Sequence, residues 1–261
     1  MRVSEPDWPY AGRYAELYDL FYADKPYADE VAFVHECIRE FSSTPVHDVL
    51  ELACGTGRHA LELEKFGYNI TATDRSSDML QVARQRAAKR NSKIQFIAAD
   101  MEQLQLEKKN WDAAVCLFDS IGYLKTNEAI TAALTAIRDH LRANGLFIFE
   151  FWHAPAMLNQ YSPQRIRKWR TDQGEVVRIS ETKLDRDNRW ATVDYTVNES
   201  LDDGTSKTFR ESHTNRFFSV EEIQELLSSS KFELLKFFAG FSTIEPINDQ
   251  TWHIVAVAQK S

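Results

Sequence analysis

The chain has 261 residues, a formal net charge of −8 at neutral pH, 43% hydrophobic residues and 27% charged residues. These totals describe a globular protein with room for a full core, read as one large domain or one domain with a modest insert. The acidic balance argues against a polynucleotide partner, because wrapping DNA or RNA needs Lys and Arg to displace counterions from phosphates.

Residues 1–45 are aromatic and acidic and read as helical over 14–22 and again over 28–41. Residues 46–54 form a buried strand pattern that runs straight into a glycine turn. Residues 56–66 have helical spacing, and 69–74 read as a second strand. Ser76 caps a helix over 76–91, with Met79, Leu80, Val82 and Ala83 at helical intervals. Further strands are expected at 94–100, 111–118 and 145–152, with a helix over 127–143. Strand and helix alternating at this pitch mean βαβ units and a parallel sheet. The rhythm then breaks. Runs at 176–184, 190–200 and 208–217 alternate apolar and polar positions around the turns DRDN and DDG, an antiparallel extension. Ser219 with Glu222 opens another helix, and final strands are expected at 233–239 and 252–259. The expected fold is α/β: a doubly wound, seven-stranded, mostly parallel sheet with an antiparallel β insert after the fifth strand. The expected domains are a helical cap over 1–45, an α/β domain over 46–152 and 217–261, and a β-rich, substrate-side insert over 153–216.

Cys37, Cys54 and Cys116 form no C-x-x-C pair, and the seven histidines make no H-E-x-x-H or comparable cluster. No metal is expected, and a reducing compartment fits. The first residues lack a basic-then-apolar leader pattern. The longest apolar runs fall well short of the ~20 residues that span a bilayer. A cytoplasmic protein without membrane or nucleic-acid partners is expected, and a homodimer stays open.

The most informative stretch is DVLELACGTGRHALELEKFGYNITATDRSSDML, residues 48–80. Gly55 and Gly57 let a ligand approach the backbone at the sheet's carboxyl edge, and the following helix N-terminus favours a negative group. Asp74 ends the second strand, where a carboxylate can accept both hydroxyls of a ribose. Asp100 ends the third and can accept from an adenine amine, with the Met101 amide facing the ring. G-T-G-R-H-A also satisfies a dinucleotide pattern, so a nicotinamide oxidoreductase is a competing reading. Glu51 tilts the choice: an acid inside the strand pairs with an ammonium group but repels a diphosphate.

E-L-A-C-G-T-G with Asp74 and Asp100-Met101 resembles the glycine motif and acidic strand ends of class I S-adenosylmethionine methyltransferases. The resemblance implies that Glu51, Ala53, Gly55, Thr56 and Gly57 lie by the methionine part of that cofactor. It implies that Asp74 takes the ribose hydroxyls, that Asp100 and Met101 flank adenine, and that Arg75 and Met79 pack on the adenosine. Tyr22 and Phe118 complete the expected cofactor set. More narrowly, Y-A-E-L-Y-D-L-F-Y at 14–22, C-G-T-G-R-H at 54–59 and S-I-G-Y at 120–123 resemble sugar-nucleotide N,N-dimethyltransferases. Tyr14 then matches a tyrosine near the reacting methyl. Tyr123 stands where that group usually has a histidine, and a phenol of pKa ~10 is a poor base at neutral pH. Tyr14 and Tyr123 are the candidate catalytic residues, and His153 and Arg216 the candidate substrate contacts. His213 and Arg216 have opposite strand parity, so at most one should point inward. Arg165, Arg167, Lys168 and Arg170 form a basic run that suits a solvated face or a diphosphate grip. The expected activity is methyl transfer to a small-molecule amine such as that of a nucleotide-linked aminosugar, with O- or C-methylation of another metabolite as the alternative.

Overall fold

The computed structural model describes residues 9–261. Its larger sheet has seven strands in the order β10-β11-β5-β4-β1-β2-β3. They are β1 (Asp48–Glu51), β2 (Asn69–Asp74), β3 (Gln95–Ala98), β4 (Trp111–Cys116), β5 (Leu141–Trp152), β10 (Phe232–Ala239) and β11 (His253–Lys260). Strands β1 to β5 pair in parallel, while β11 runs antiparallel to both β5 and β10. The order reverses at β1, so loops after β1 and β4 leave the sheet on opposite sides and open a crevice at their carboxyl ends.

Alternation along the central strands explains the two core layers. Leu50, Ala114, Cys116, Phe147, Phe149 and Phe151 face helices α5 (Asn127–His140) and α7 (Val220–Ser229). Val49, Ala113, Val115, Leu146 and Ile148 face α2 (Tyr27–Phe41), α3 (Arg58–Lys65) and α4 (Ser77–Lys89). A strand buried on both faces therefore reads as a continuous apolar run. Each fully buried aliphatic or aromatic side chain contributes about 1.5–3 kcal/mol of transfer free energy. The helix ends were set locally: Ser76, Thr126 and Ser219 each accept a backbone N–H with their hydroxyls at the start of α4, α5 and α7.

The second sheet is antiparallel, in the order β6-β7-β8-β9: β6 (Gln164–Thr171), β7 (Gly174–Asp185), β8 (Trp190–Leu201) and β9 (Ser206–Arg216). Strands β7, β8 and β9 correspond to the three alternating runs expected from the sequence. Strand β6 is an addition to them: six of its eight side chains are exposed and no apolar alternation marks it. A short helix, α6 (Ala154–Gln160), is a further addition to the expected elements. Helix α1 (Gly12–Phe21) lies between the sheets: Tyr14, Ala15, Leu17, Tyr18 and Phe21 pack with Met79 of α4, Val176 of β7 and Val197 of β8. Among the described residues, no helix is long and apolar enough to cross a membrane.

Candidate active site

Carboxylates crown the carboxyl ends of β1, β2 and the loop after β3. Glu51 ends β1 and is 2% exposed, and its Oε2 has no hydrogen-bond partner. Burial, reinforced by nearby Asp74, pushes its carboxyl well above the usual range. A buried carboxylate oxygen left unpaired is costly, so this atom calls for a cationic donor. Asp74 accepts from the Gly55 amide at 2.7 Å and the Ser76 amide at 2.8 Å. Burial raises its pKa, and those amides oppose the shift. Asp100 accepts from the Glu102 amide at 3.0 Å and lies 3.3 Å from the Arg75 guanidinium. Met101 packs at the margin of the α5 and α7 core layer.

The loop between β1 and α3 turns on left-handed residues: Ala53, Gly55 and Gly57 have φ of 50°, 53° and 72°. Gly57 is the N-cap of α3. A Cβ there would stand 2.9 Å from Phe96 and 3.2 Å from Ala83, so only glycine brings the helix this close to β3. Met79 packs its methyl over Gly55, where a Cβ would stand 3.4 Å from it. Helix α1 is tied to this loop: Thr56 donates to Asp19 at 2.8 Å, Asp19 also pairs with Arg86, and Arg58 donates to the Tyr22 carbonyl at 3.1 Å. The loop borders a cavity of about 30 Å³ that Glu51, Ala53, Gly55 and Thr56 share with Tyr18, Tyr27, Phe118 and Ser120.

After β4 the chain makes a second left-handed turn, with φ of 57° at Phe118 and 56° at Asp119. Buried polar groups hold it. The Phe118 amide donates to Glu150 Oε2 at 2.6 Å, and His253 Nδ1 lies 3.0 Å from both Asp119 Oδ2 and Glu150 Oε1. Burial alone lowers the His253 pKa, but Asp119 and Glu150 override it and lift it to about 11. Burial and Glu150 push Asp119 up to about 6 against the pull of His253. These three are the group, among the described residues, whose donor atoms gather within 4.8 Å in the manner of a metal site. Lys25 sits 4.3 Å above the Phe118 ring and Tyr22 meets its edge at 5.1 Å.

Beyond Phe118 lies a wall of phenols facing the second sheet. Tyr14 is 1% exposed, its hydroxyl has no partner, and its ring meets Phe21, Tyr195 and His213. Arg178 of β7 is 7% exposed and forms no ion pair with a carboxylate among the described residues. Its guanidinium stands 4.6 Å from the Phe21 ring, 5.2 Å from Tyr22 and 5.0 Å from Tyr195, and its Nη1 has no partner. A buried cation among rings without a counter-ion is a site for an anion. Tyr123 lies in a 3-10 turn, Ser120–Tyr123, pressed onto β9: a Cβ on Gly122 would stand 2.7 Å from the Arg216 carbonyl. Its hydroxyl meets Tyr10 Oη at 2.5 Å and His213 Nδ1 at 2.8 Å.

The structure thus brings together Tyr14, Tyr22, Glu51, Ala53, Gly55, Thr56, Gly57, Asp74, Met79, Phe118 and Tyr123, with Arg75, Asp100 and Met101 at one end. Two sequence candidates lie elsewhere. Arg216 pairs with Glu222 of α7 and donates to the Lys125 carbonyl, away from the phenols. His213, of the opposite strand parity, takes the inner face instead, buried against the Tyr14 ring. His153 caps α6, and its Nδ1 donates to the Thr251 carbonyl at 3.0 Å. Sequence reasoning missed Tyr10, Arg178, Tyr195 and Glu211. The one signal available was the odd parity that Tyr195, Glu211 and His213 share on β8 and β9, which pair Tyr195 with Glu211.

Residues 49–145 match the family described as "Methyltransferase domain". The dTDP-3-amino-3,6-dideoxy-alpha-D-glucopyranose N,N-dimethyltransferase of Streptomyces fradiae is 29% identical over 230 residues, 86% of each chain. The dTDP-3-amino-3,4,6-trideoxy-alpha-D-glucopyranose N,N-dimethyltransferase of Streptomyces venezuelae is 36% identical over 145 residues, 54% of this chain and 58% of that one. Among solved structures, an S-adenosylmethionine-dependent methyltransferase from Clostridium acetobutylicum ATCC 824 superposes with a TM-score of 0.82 at 24% identity, covering 95% of this chain and 97% of that chain.

Proposed function

Because the chain is a class I S-adenosylmethionine-dependent methyltransferase, we propose that it methylates the amine of a small molecule, an aminosugar joined to a nucleotide. The observation that carries the acceptor reading is the phenol chamber with Arg178 in its wall. Its π faces suit a sulfonium and an amine, and a guanidinium with a partnerless Nη1 and no carboxylate beside it suits a phosphate on the same acceptor. The names of the two Streptomyces relatives support an aminosugar amine.

In this reading Glu51 receives the ammonium group of the cofactor's methionine part at its unpartnered Oε2. Asp74 takes the ribose hydroxyls while keeping Gly55 and Ser76 in place, and Asp100, Met101, Arg75 and Met79 surround the adenosine. Bound there, S-adenosylmethionine supplies an electrophilic methyl group. The protein aligns the acceptor and excludes water, which is most of what an in-line displacement needs. Of the expected cap over 1–45, residues 1–8 lie outside the described residues; residues 9–45 act as a cap and 153–216 as the substrate-side cover of the α/β domain. The reading keeps the enzyme cytoplasmic and without a nucleic-acid partner, and a homodimer remains open.

The test is calorimetry with S-adenosylhomocysteine, followed by mass spectrometry of a panel of amines that includes dTDP-3-amino-3,6-dideoxyglucose. Tight binding and a gain of methyl mass on an amine are expected. Asp74→Ala removes hydrogen bonds to a charged group worth about 1.5–3 kcal/mol each, so affinity should fall more than ~10-fold. Absence of binding in the unaltered protein, or heat with NADH alone, would overturn the reading.

A further inference from the structure

We propose that Tyr123 is the proton acceptor of the reaction and that His213 and Glu211 act through it as positioning residues, forming a phenol–imidazole–carboxylate relay. The proposal rests on the methyl-transfer reading above. His213 Nδ1 lies 2.8 Å from Tyr123 Oη in a hydrogen bond, and His213 Nε2 lies 3.0 Å from Glu211 Oε1, within ion-pair distance but without hydrogen-bond alignment. The carboxylate favours hydrogen on Nε2, which leaves Nδ1 as a lone pair that takes the Tyr123 hydroxyl hydrogen. Glu211 and His213 are two apart on β9, so both side chains share its inner face. Glu211 is itself held by the Tyr10 amide. His213 is 5% exposed, whereas Tyr123 is only half-buried and forms the end of the chain that a ligand can reach.

The arrangement answers a chemical difficulty. Burial raises the Tyr123 phenol well above its ordinary value, so it holds no phenolate at neutral pH and is no base alone. A phenol that passes on its own proton while receiving another never has to become a phenolate. As the neutral acceptor nitrogen bonds to the methyl carbon, the carbon–sulfur bond breaks and its electron pair stays on sulfur. The nitrogen is left as an ammonium. Its N–H bond then breaks as an O–H bond forms on Tyr123; the former Tyr123 O–H breaks as Nδ1–H forms on His213. The imidazolium rests against Glu211 until solvent takes the proton.

The titratable groups facing His213 are Tyr10 and Tyr14 from the N-terminal segment, Tyr123 from the turn, Tyr195 from β8 and Glu211 from its own strand. Burial raises all four phenols, so none ionises in the acid range.

The experiment compares the unaltered enzyme with His213→Gln, Tyr123→Phe, the double variant and Tyr123→His. Rates are read from pH 5.5 to 9 with dTDP-3-amino-3,6-dideoxyglucose, and S-adenosylhomocysteine affinity is read beside them. Each single variant should lose about 100-fold in kcat with unchanged S-adenosylhomocysteine affinity, the double variant should lose no more, and Tyr123→His should recover most of the loss. Nitrogen NMR of labelled histidine in the unaltered protein with S-adenosylhomocysteine gives a readout that needs no acceptor. It should show hydrogen on His213 Nε2, and Tyr123→Phe should shift the Nδ1 resonance. Multiplying losses, an unchanged kcat in His213→Gln, or hydrogen on His213 Nδ1 instead of Nε2 would overturn the relay. Failure to bind S-adenosylhomocysteine would instead sink the methyltransferase reading.

Discussion

Raising the pH from 7 to 9 should weaken the fold through one residue, His253. Its imidazole bridges Asp119 and Glu150, which are 3% and 2% exposed, and its pKa is lifted from 6.5 to about 11. A group whose pKa is raised on folding contributes stability that is complete below its unfolded value and is lost as pH climbs through its folded value. Between pH 7 and 9 the folded chain therefore holds one proton that the unfolded chain has released. The limiting slope is about 1.4 kcal/mol per pH unit. The His253 side chain is 40% exposed, so solvent screening reduces that limit; a loss of about 1–2 kcal/mol across the two units is expected. Urea unfolding at pH 7, 8 and 9 measures it against His253→Gln, which should be less stable at pH 7 and show a flatter dependence. Equal slopes in the two proteins would refute the reasoning, and with it the claim that this network fixes the Phe118–Asp119 turn.

Two further changes separate cofactor from acceptor. Gly57→Ala meets Phe96 at 2.9 Å and forces alanine to a φ of 72°; it should cost about 1–3 kcal/mol in urea unfolding and weaken S-adenosylhomocysteine binding in calorimetry. Arg178→Met keeps the stem among the rings and removes a cation that has no carboxylate partner. It should leave folding and S-adenosylhomocysteine affinity unchanged while raising the acceptor KM about 10-fold or more, the loss of one charge-assisted contact. A KM unchanged in that variant removes the anion from the proposed acceptor.

The cofactor end of the site was legible because its signals are local. Glu51, Gly55, Gly57 and Asp74 each sit at a strand end or turn that a few neighbouring residues determine, and the βαβ rhythm places those ends along one edge. The acceptor end was not, because it is assembled across long loops. Tyr123 and His213 are 90 residues apart, and His253 and Asp119 are 134 apart. No local pattern marks such pairs; they exist once the second sheet folds back on α1. Arg178 is a sharper case. In sequence it reads as one polar residue in an alternating strand, and only its burial without a counter-ion sets it apart. Parity was informative where it was applied: it separated His213 from Arg216, although it could not choose between them.

Strand β6 is the free border of the smaller sheet and carries Arg165, Arg167, Lys168 and Arg170 along its length. Its backbone offers unpaired hydrogen-bonding groups to any passing strand, the usual starting point for unwanted sheet extension between molecules. Two chains meeting border to border would press like charges together within a few ångströms. The same run that hid this strand from a reading of apolar alternation thereby guards it against adhesion, whatever contact its inner side makes with a ligand.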